Sequence, residues 1–202
     1  LWGVIHNGIS LNSKAIEVVE NLSENSKKIV FLSNAPRPSS KDIEFLKKLK
    51  MQEKFLSKVV TSGEAAMEAI NKNKFGKKFY HLGPSRDQSI FETVLENKTS
   101  LDSCDFILCT GLFDEQDEDL NYYKDLLKSF TSKKLICTNP DLIVHRGNNE
   151  ELCAGSVAKT FESLGRGVIY YGKPYKEIYE MCFELNEKVL AIGDNLRTDI
   201  KG

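Results

Sequence analysis

The chain has 202 residues, 41% hydrophobic and 28% charged, a balance that supports a packed core in one large or two modest domains and excludes a disordered tail. Its 28 Lys+Arg against 29 Asp+Glu leave a net charge of -1, so no positive field gathers nucleic acid or anionic lipid. No apolar run reaches the roughly 18 residues of a membrane span, and the five cysteines form no CxxC pair, which points to a soluble protein of a reducing, cytoplasmic compartment.

The opening LWGVIHNG has neither the basic start nor the long apolar stretch of a signal peptide. It reads as the end of a strand, and Gly202 follows an apparent helix start by two residues, so the sequence is expected to be a fragment or a trimmed chain. Ile16, Val19 and Leu22 recur at helical spacing within residues 14–22, and Ile29–Leu32 is a continuous apolar run of strand length, broken by SNAPRPSS. A second helix is predicted over about Lys41–Lys50, then a short strand over Lys58–Val60. Thr61 and Glu64 form a candidate capping box that opens the next helix.

From about residue 75 to 150 the segments KKFYHLG, a helix over Arg86–Glu96, FILCTG, a helix ending near Phe130, KLICTN and DLIVHRG read as a second, smaller α/β unit. A helix over Ala154–Leu164, a strand VIYYG, a helix over 175–186 and a strand VLAIGD return to βαβ spacing, which makes the first domain discontinuous. The acidic stretch Asp114–Asp119 fits no EF-hand spacing and reads as a solvated helix start. The lysines at 47, 48, 50, 72, 74, 77 and 78 read as a charged face.

Three apolar strands end in short polar signatures: Ser33-Asn34, Gly172-Lys173-Pro174 and Gly193-Asp194-Asn195. In an open parallel sheet the carboxyl ends of the strands share one edge, so the three are expected to converge. A hydroxyl, an amide, an ammonium and a carboxylate at one edge can hold a phosphate and a divalent metal without a Rossmann or P-loop glycine pattern. Each has a plainer reading: Ser33 as a turn residue, Lys173 as a solvated loop lysine with Pro174 opening a helix, Asp194 as an isolated turn, Asp199 as a helix N-cap before Ile200. Asp199 could equally hold a loop amide, an Asn195 group or the Lys173 ammonium.

Taken together, LWGVIHNG, FLSNAPR, GKPYKEIY and AIGDNLRTDIKG resemble the haloacid dehalogenase superfamily in its NagD-like subfamily IIA, over nearly the whole chain. TSGEAA, CTNPD and CAGSVAKTFESLG resemble the cap of that subfamily. The resemblance implies an α/β fold: a Rossmann-like parallel-sheet core from residues 1–60 and 166–202, and an inserted smaller α/β cap of C2 type, with connecting helices, from 61–165. It implies Mg2+-dependent hydrolysis of a phosphomonoester through an aspartyl phosphate.

Residue by residue, Ser33 matches the phosphate binder of the second motif, with Asn34 beside it, and Lys173 matches the third-motif lysine. Asp194 matches the fourth-motif metal ligand, supported by Asp199 and Asn195, while Trp2 stands where a backbone carbonyl also ligates the metal. Asn139 and Asp141 fall in the NPD segment that faces the core and are candidates for closure or substrate contact. Two departures bear on catalysis. The nucleophilic Asp of the pattern stands immediately before the position of Leu1, and the general acid two places after it is here Trp2, whose indole has no acid or base function at neutral pH. Loss of a general acid costs about 10²- to 10⁴-fold, and His6 is the nearest titratable substitute, against a plainer reading as a hydrogen-bonded loop histidine.

The preferred expectation is a phosphatase acting on a small phosphorylated metabolite, with neither nucleic acid nor membrane as partner. Sugar phosphates, nucleoside monophosphates, phosphoglycolate and pyridoxal phosphate all suit the resemblance, and His145 with Arg146 could meet an anionic tail or form a solvated loop. A non-catalytic binder of a phosphometabolite or of a protein, and a phosphotransferase, are the alternatives. Cap surfaces and helix faces both admit a homo-oligomer.

Overall fold

The computed structural model describes residues 1–116, 118–146, 149–165 and 167–202, with the side chain of Arg146 also outside the description. The apolar run 29–32 yields β1 (Phe31–Ser33), which pairs in parallel with β2 (Val59–Thr61) from Phe31↔Val59 to Ser33↔Thr61. Helices α1 (Ser13–Glu24) and α2 (Ser39–Lys48) accompany this pair. Val19 and Leu46 close with Ile5, Phe31, Phe55 and Val59 into one buried cluster.

Helix α3 (Ser62–Asn71) follows β2 directly. Thr61 Oγ1 accepts from the Glu64 N–H at 3.1 Å, which is one half of the expected capping box. The other half differs: the Glu64 carboxylate accepts from the Ser39 N–H at 3.1 Å, so it links α3 to the start of α2.

Strands β3 (Phe79–Leu82), β4 (Phe106–Cys109), β5 (Lys134–Cys137) and β8 (Val168–Tyr170) form one parallel sheet in that spatial order. Both faces are covered, which is why these strands read as unbroken apolar runs. On one face Ile107, Leu135 and Tyr170 pack against Tyr123 and Leu127 of α4 (Leu120–Leu127) and Val157 and Phe161 of α5 (Ala154–Ser163). On the other, Phe79, Phe106, Leu108 and Ile136 meet Ala66 and Ile70 of α3 together with Ile90 and Phe91. An antiparallel hairpin, β6 (Ile143–Arg146) with β7 (Asn149–Leu152), extends beyond this sheet, and α6 (Lys176–Glu180) packs Ile178 against Val60 of β2. The architecture is α/β, with a Rossmann-like parallel core at β1–β2 and α/β cap elements of C2 type.

The expected elements differ from the structure in four places. The strand at 168–170, read as a return to the core, pairs with β5 in the four-stranded sheet. The helix over 86–96 is two 3-10 turns, Ser85–Ile90 and Glu92–Asn97, because Phe91 leaves the helical region at φ -132° as it and Ile90 turn into the core. The VLAIGD segment forms no strand: none of the three sheets includes it, and Leu190 is 82% exposed. Pro174 does not open α6, and the helix expected over 175–186 runs only over Lys176–Glu180, behind Tyr175. In the acidic stretch, Asp119 caps α4 by accepting from the Asn121 N–H at 2.9 Å, as a solvated helix start requires. Asp117 lies outside the described residues.

Candidate active site

The carboxyl ends of β1, β3, β4, β5 and β8 open on a cavity of about 730 Å3 between the two sheets, a volume suited to a small metabolite. Ser33, Asn34, Lys173, Asp194 and Asp199 all line it. The expected convergence therefore occurs, though not along a single sheet edge. Ser33 ends β1 and Lys173 follows the four-stranded sheet, while Asp194 is carried by a turn.

Two side chains make this join. Asn34 Oδ1 accepts from the Lys173 N–H at 2.7 Å, and its amide donates to the Lys173 carbonyl and to Asp141 Oδ1, each at 3.2 Å. Asn34, expected beside a phosphate, is thus committed to holding the Lys173 loop. That loop needs Gly172: at φ +125°, a Cβ there would lie 2.6 Å from Pro140 and 2.7 Å from Asn34 Oδ1. The second join is the buried ammonium of Lys173, 2.5 Å from Asp199 Oδ1. Asp199 also accepts the Asn195 N–H at 3.1 Å and starts no helix, so it holds a loop amide and the Lys173 ammonium together. Burial opposes the charge on Asp199, but the Lys173 ammonium and the Asn195 amide outweigh it and hold the carboxyl below its ordinary range.

Ser33 Oγ accepts from the Ala35 N–H at 3.2 Å, which orients the hydroxyl and leaves its hydrogen to donate. The Asp194 carboxylate is exposed and packs against Gly3, where any side chain would collide with it. It therefore sits beside the backbone of Trp2. Asn139 Oδ1 accepts from the Asp141 N–H at 3.1 Å, and burial raises Asp141 against the opposing pull of Lys173 and Asn34. Both lie in the wall where the cap sheet meets the core, with Asn139 shaping the turn that presents Asp141 to Asn34.

Trp2 and His6 take positions that bear on proton transfer. The Trp2 indole N–H donates to the His145 carbonyl at 2.9 Å, a bond from core to the β6–β7 hairpin. His6 is buried against Trp2 and Phe45, its Nδ1 accepts from the Gly8 N–H at 3.1 Å, and burial lowers its pKa to about 4. Through that bond it holds the local turn, and burial keeps the ring neutral at pH 7. The exposed His145 ring lies 3.7 Å from Glu150.

Cavity-lining residues that sequence reasoning passed over include Arg37, which donates to the buried Asp42 at 2.6 Å, and Asp87 with Thr110. Arg37 sat in the quoted SNAPR; Asp87 carried no local signal. Among the described residues no group of three or more His, Cys, Asp or Glu stands ready to cage a metal, and no helix is long and apolar enough to cross a membrane.

Residues 1–94 match the family model described as haloacid dehalogenase-like hydrolase. No curated protein matches the chain significantly. Among solved structures, a haloacid dehalogenase-like family hydrolase from Brucella suis 1330 is 29% identical, with a TM-score of 0.90, over 100% of this chain and 78% of that one. A 4-nitrophenylphosphatase from Thermotoga maritima is 25% identical, with a TM-score of 0.68, over 90% of this chain and 69% of that one. A p-nitrophenyl phosphatase from Archaeoglobus fulgidus, 20% identical over 99% of this chain and 78% of its own with a TM-score of 0.76, shares the fold. The chain has the fold of the haloacid dehalogenase superfamily hydrolases and is related to the 4-nitrophenylphosphatase and NagD-like proteins built on it.

Proposed function

We propose that this protein is a Mg2+-dependent phosphomonoesterase acting on a small organic phosphate in the cytoplasm. The observation that carries the reading is the 2.5 Å contact between Lys173 and Asp199, which fixes an ammonium in the same cavity as the Ser33 hydroxyl and the Asp194 carboxylate. The likeness to the 4-nitrophenylphosphatase from Thermotoga maritima supports phosphate-ester chemistry, and five buried thiols, all free, support a reducing compartment.

Mg2+ takes one or two carboxylates, keeps waters and shares the substrate phosphate, so it does not need an all-protein cage. Asp194, seated against Gly3, the residue after Trp2, fits that demand. Bound there, the ion would supply positive charge to the phosphoryl oxygens. Ser33 donates its hydroxyl hydrogen to one phosphate oxygen, and Lys173, steadied by Asp199, faces another. At about 4 Å, and an effective dielectric near 20, that ammonium attracts a phosphoryl charge by about 4 kcal/mol. The nucleophile is the aspartate that the family resemblance puts immediately before Leu1, a residue that lines the same cavity as Ser33. Its oxygen attacks phosphorus, the ester oxygen leaves, and water cleaves the aspartyl phosphate. With the Trp2 N–H engaged by His145, the departing oxygen takes its proton from water.

The same engagement of Trp2 favours a second reading, a binder of phosphorylated metabolites without turnover, because recognition does not need the missing acid. Phosphate release from the intact protein with Mg2+, measured for wild type, Asp194→Ala and His6→Ala, separates the two. Turnover that falls at least 10²-fold in Asp194→Ala and persists in His6→Ala is expected. Binding without release supports the second reading, and release unchanged in both variants removes this site.

A further inference from the structure

The wall of the cavity contributed by the four-stranded sheet contains a buried carboxyl that the reaction above does not use. Asp87 follows β3, lines the cavity and is only 8% exposed. It is backed by a relay. The Thr110 hydroxyl acts on the Asp87 carboxyl to lower its pKa, and His81 Nε2 lies 2.9 Å from Thr110 Oγ1. A hydroxyl turned to a carboxylate donates to it, and Thr110 Oγ1 then accepts from His81 in the tautomer that carries hydrogen on Nε2. Burial lowers the His81 pKa to about 4, which keeps the ring neutral. The backbone makes room for this pair: a side chain at Gly83, at φ +155°, would collide with the Thr110 hydroxyl and crowd His81 Nε2 at 3.1 Å.

One hydrogen bond leaves most of the acceptor capacity of a carboxylate unused. Burial raises the Asp87 pKa to about 6, so at neutral pH the group is ionised at a cost to stability. The neighbouring cations do not neutralise it directly: Arg86 pairs with Asp114 and Arg37 with Asp42. Among the described residues that line the cavity, the three cations Arg37, Arg86 and Lys173 stand against eight carboxyl side chains, a balance that disfavours an anionic tail on the ligand.

Resting on the phosphomonoesterase reading, we propose that Asp87, positioned by Thr110 and His81, determines specificity by accepting hydroxyl or ammonium hydrogens of the leaving group, so that phosphorylated polyols and amino sugars are preferred to esters with carboxylate tails. Lys173 and Ser33 take the phosphate end, and Asp87 takes the other. The test is kcat/KM with Mg2+ for glucosamine 6-phosphate, phosphoglycolate and 4-nitrophenyl phosphate, the last offering no hydrogen to Asp87, in the intact wild type, Asp87→Asn and Thr110→Val.

Wild type should prefer glucosamine 6-phosphate to phosphoglycolate. Asp87→Asn should lower the ratio of glucosamine 6-phosphate to 4-nitrophenyl phosphate by about 5- to 100-fold, the loss expected for hydrogen bonds to a charged acceptor, and Thr110→Val should move it the same way by less. A ratio that moves less than fivefold in Asp87→Asn, or a wild-type preference for phosphoglycolate, overturns the proposal. Absence of turnover with every ester overturns the phosphatase reading instead. Calorimetric titration with glucosamine 6-phosphate then decides the role of Asp87 alone: at least fivefold weaker binding by Asp87→Asn supports it, and equal binding overturns it.

Discussion

In the four-stranded sheet, Phe106, Ile107, Leu108 and Cys109 are wholly buried and the strands are held by apolar layers on both faces. The segment that carries Asp194 is its opposite. Leu185 is 98% exposed and Leu190 82%, and the ties to the rest of the molecule are polar: Lys173 to Asp199, Tyr179 to the Thr198 carbonyl at 3.3 Å, and Lys28 to Glu187 at 2.7 Å. Non-directional packing fixes a sheet, whereas directional bonds to individual atoms fix a reactive group. The wall from the four-stranded sheet is held by packing, and the wall that carries Asp194 is placed by its ties.

The largest expected effect breaks the packed side. Phe161→Ala removes a fully buried ring of α5 and should cost about 3–5 kcal/mol in urea unfolding, whereas Leu190→Ser should stay within about 0.5 kcal/mol. Equal effects from the two would erase the contrast. Next comes the tied side. Lys173→Met strands the Asp199 carboxylate in a site where each side chain of the pair is at least 86% buried, and should cost about 3 kcal/mol at pH 7. The folded-state pKa of Asp199 is depressed, so the pair's contribution is present above the ordinary carboxylate range and disappears as pH falls through the folded value. The Lys173→Met deficit should shrink with it, and a deficit that is constant with pH would assign it to packing.

The smallest of the three runs the other way. Asp87 titrates at about 6 in the folded protein against 3.8 ordinarily, so its contribution is fully present below 3.8 and is lost as pH rises through 6. Asp87→Asn should therefore stabilise the protein above pH 7 by on the order of 2 kcal/mol, and leave it unchanged below pH 4, as read by melting curves across that range. A carboxylate that weakens the fold at neutral pH is consistent with a functional demand on that position.

The residue types of the site were legible because each ends an apolar run: Ser33 after FL, Lys173 after VIYYG, Asp194 after LAIG. The manner of their meeting was not. A parallel strand buried on both faces looks the same whichever sheet it joins, so nothing local assigned 168–170 to the partner it takes, β5. The 86–96 helix failed for a related reason, since burial of Ile90 and Phe91 against the sheet outweighs local helical preference. Asn34 looked like a ligand for phosphate, but its two donors and its acceptor go to residues 141 and 173, more than a hundred positions away.

Composition, apolar periodicity and the polar residues closing each run determined the α/β class and the cluster from Ser33 to Asp199, because these depend on local patterns of burial and chemistry. Tertiary structure alone decided that Asn34 serves as a tie, that the Trp2 N–H reaches His145, and that Asp87 becomes a buried carboxyl facing the cavity. Those outcomes depend on which distant atoms close within hydrogen-bonding reach, and on how much water burial removes.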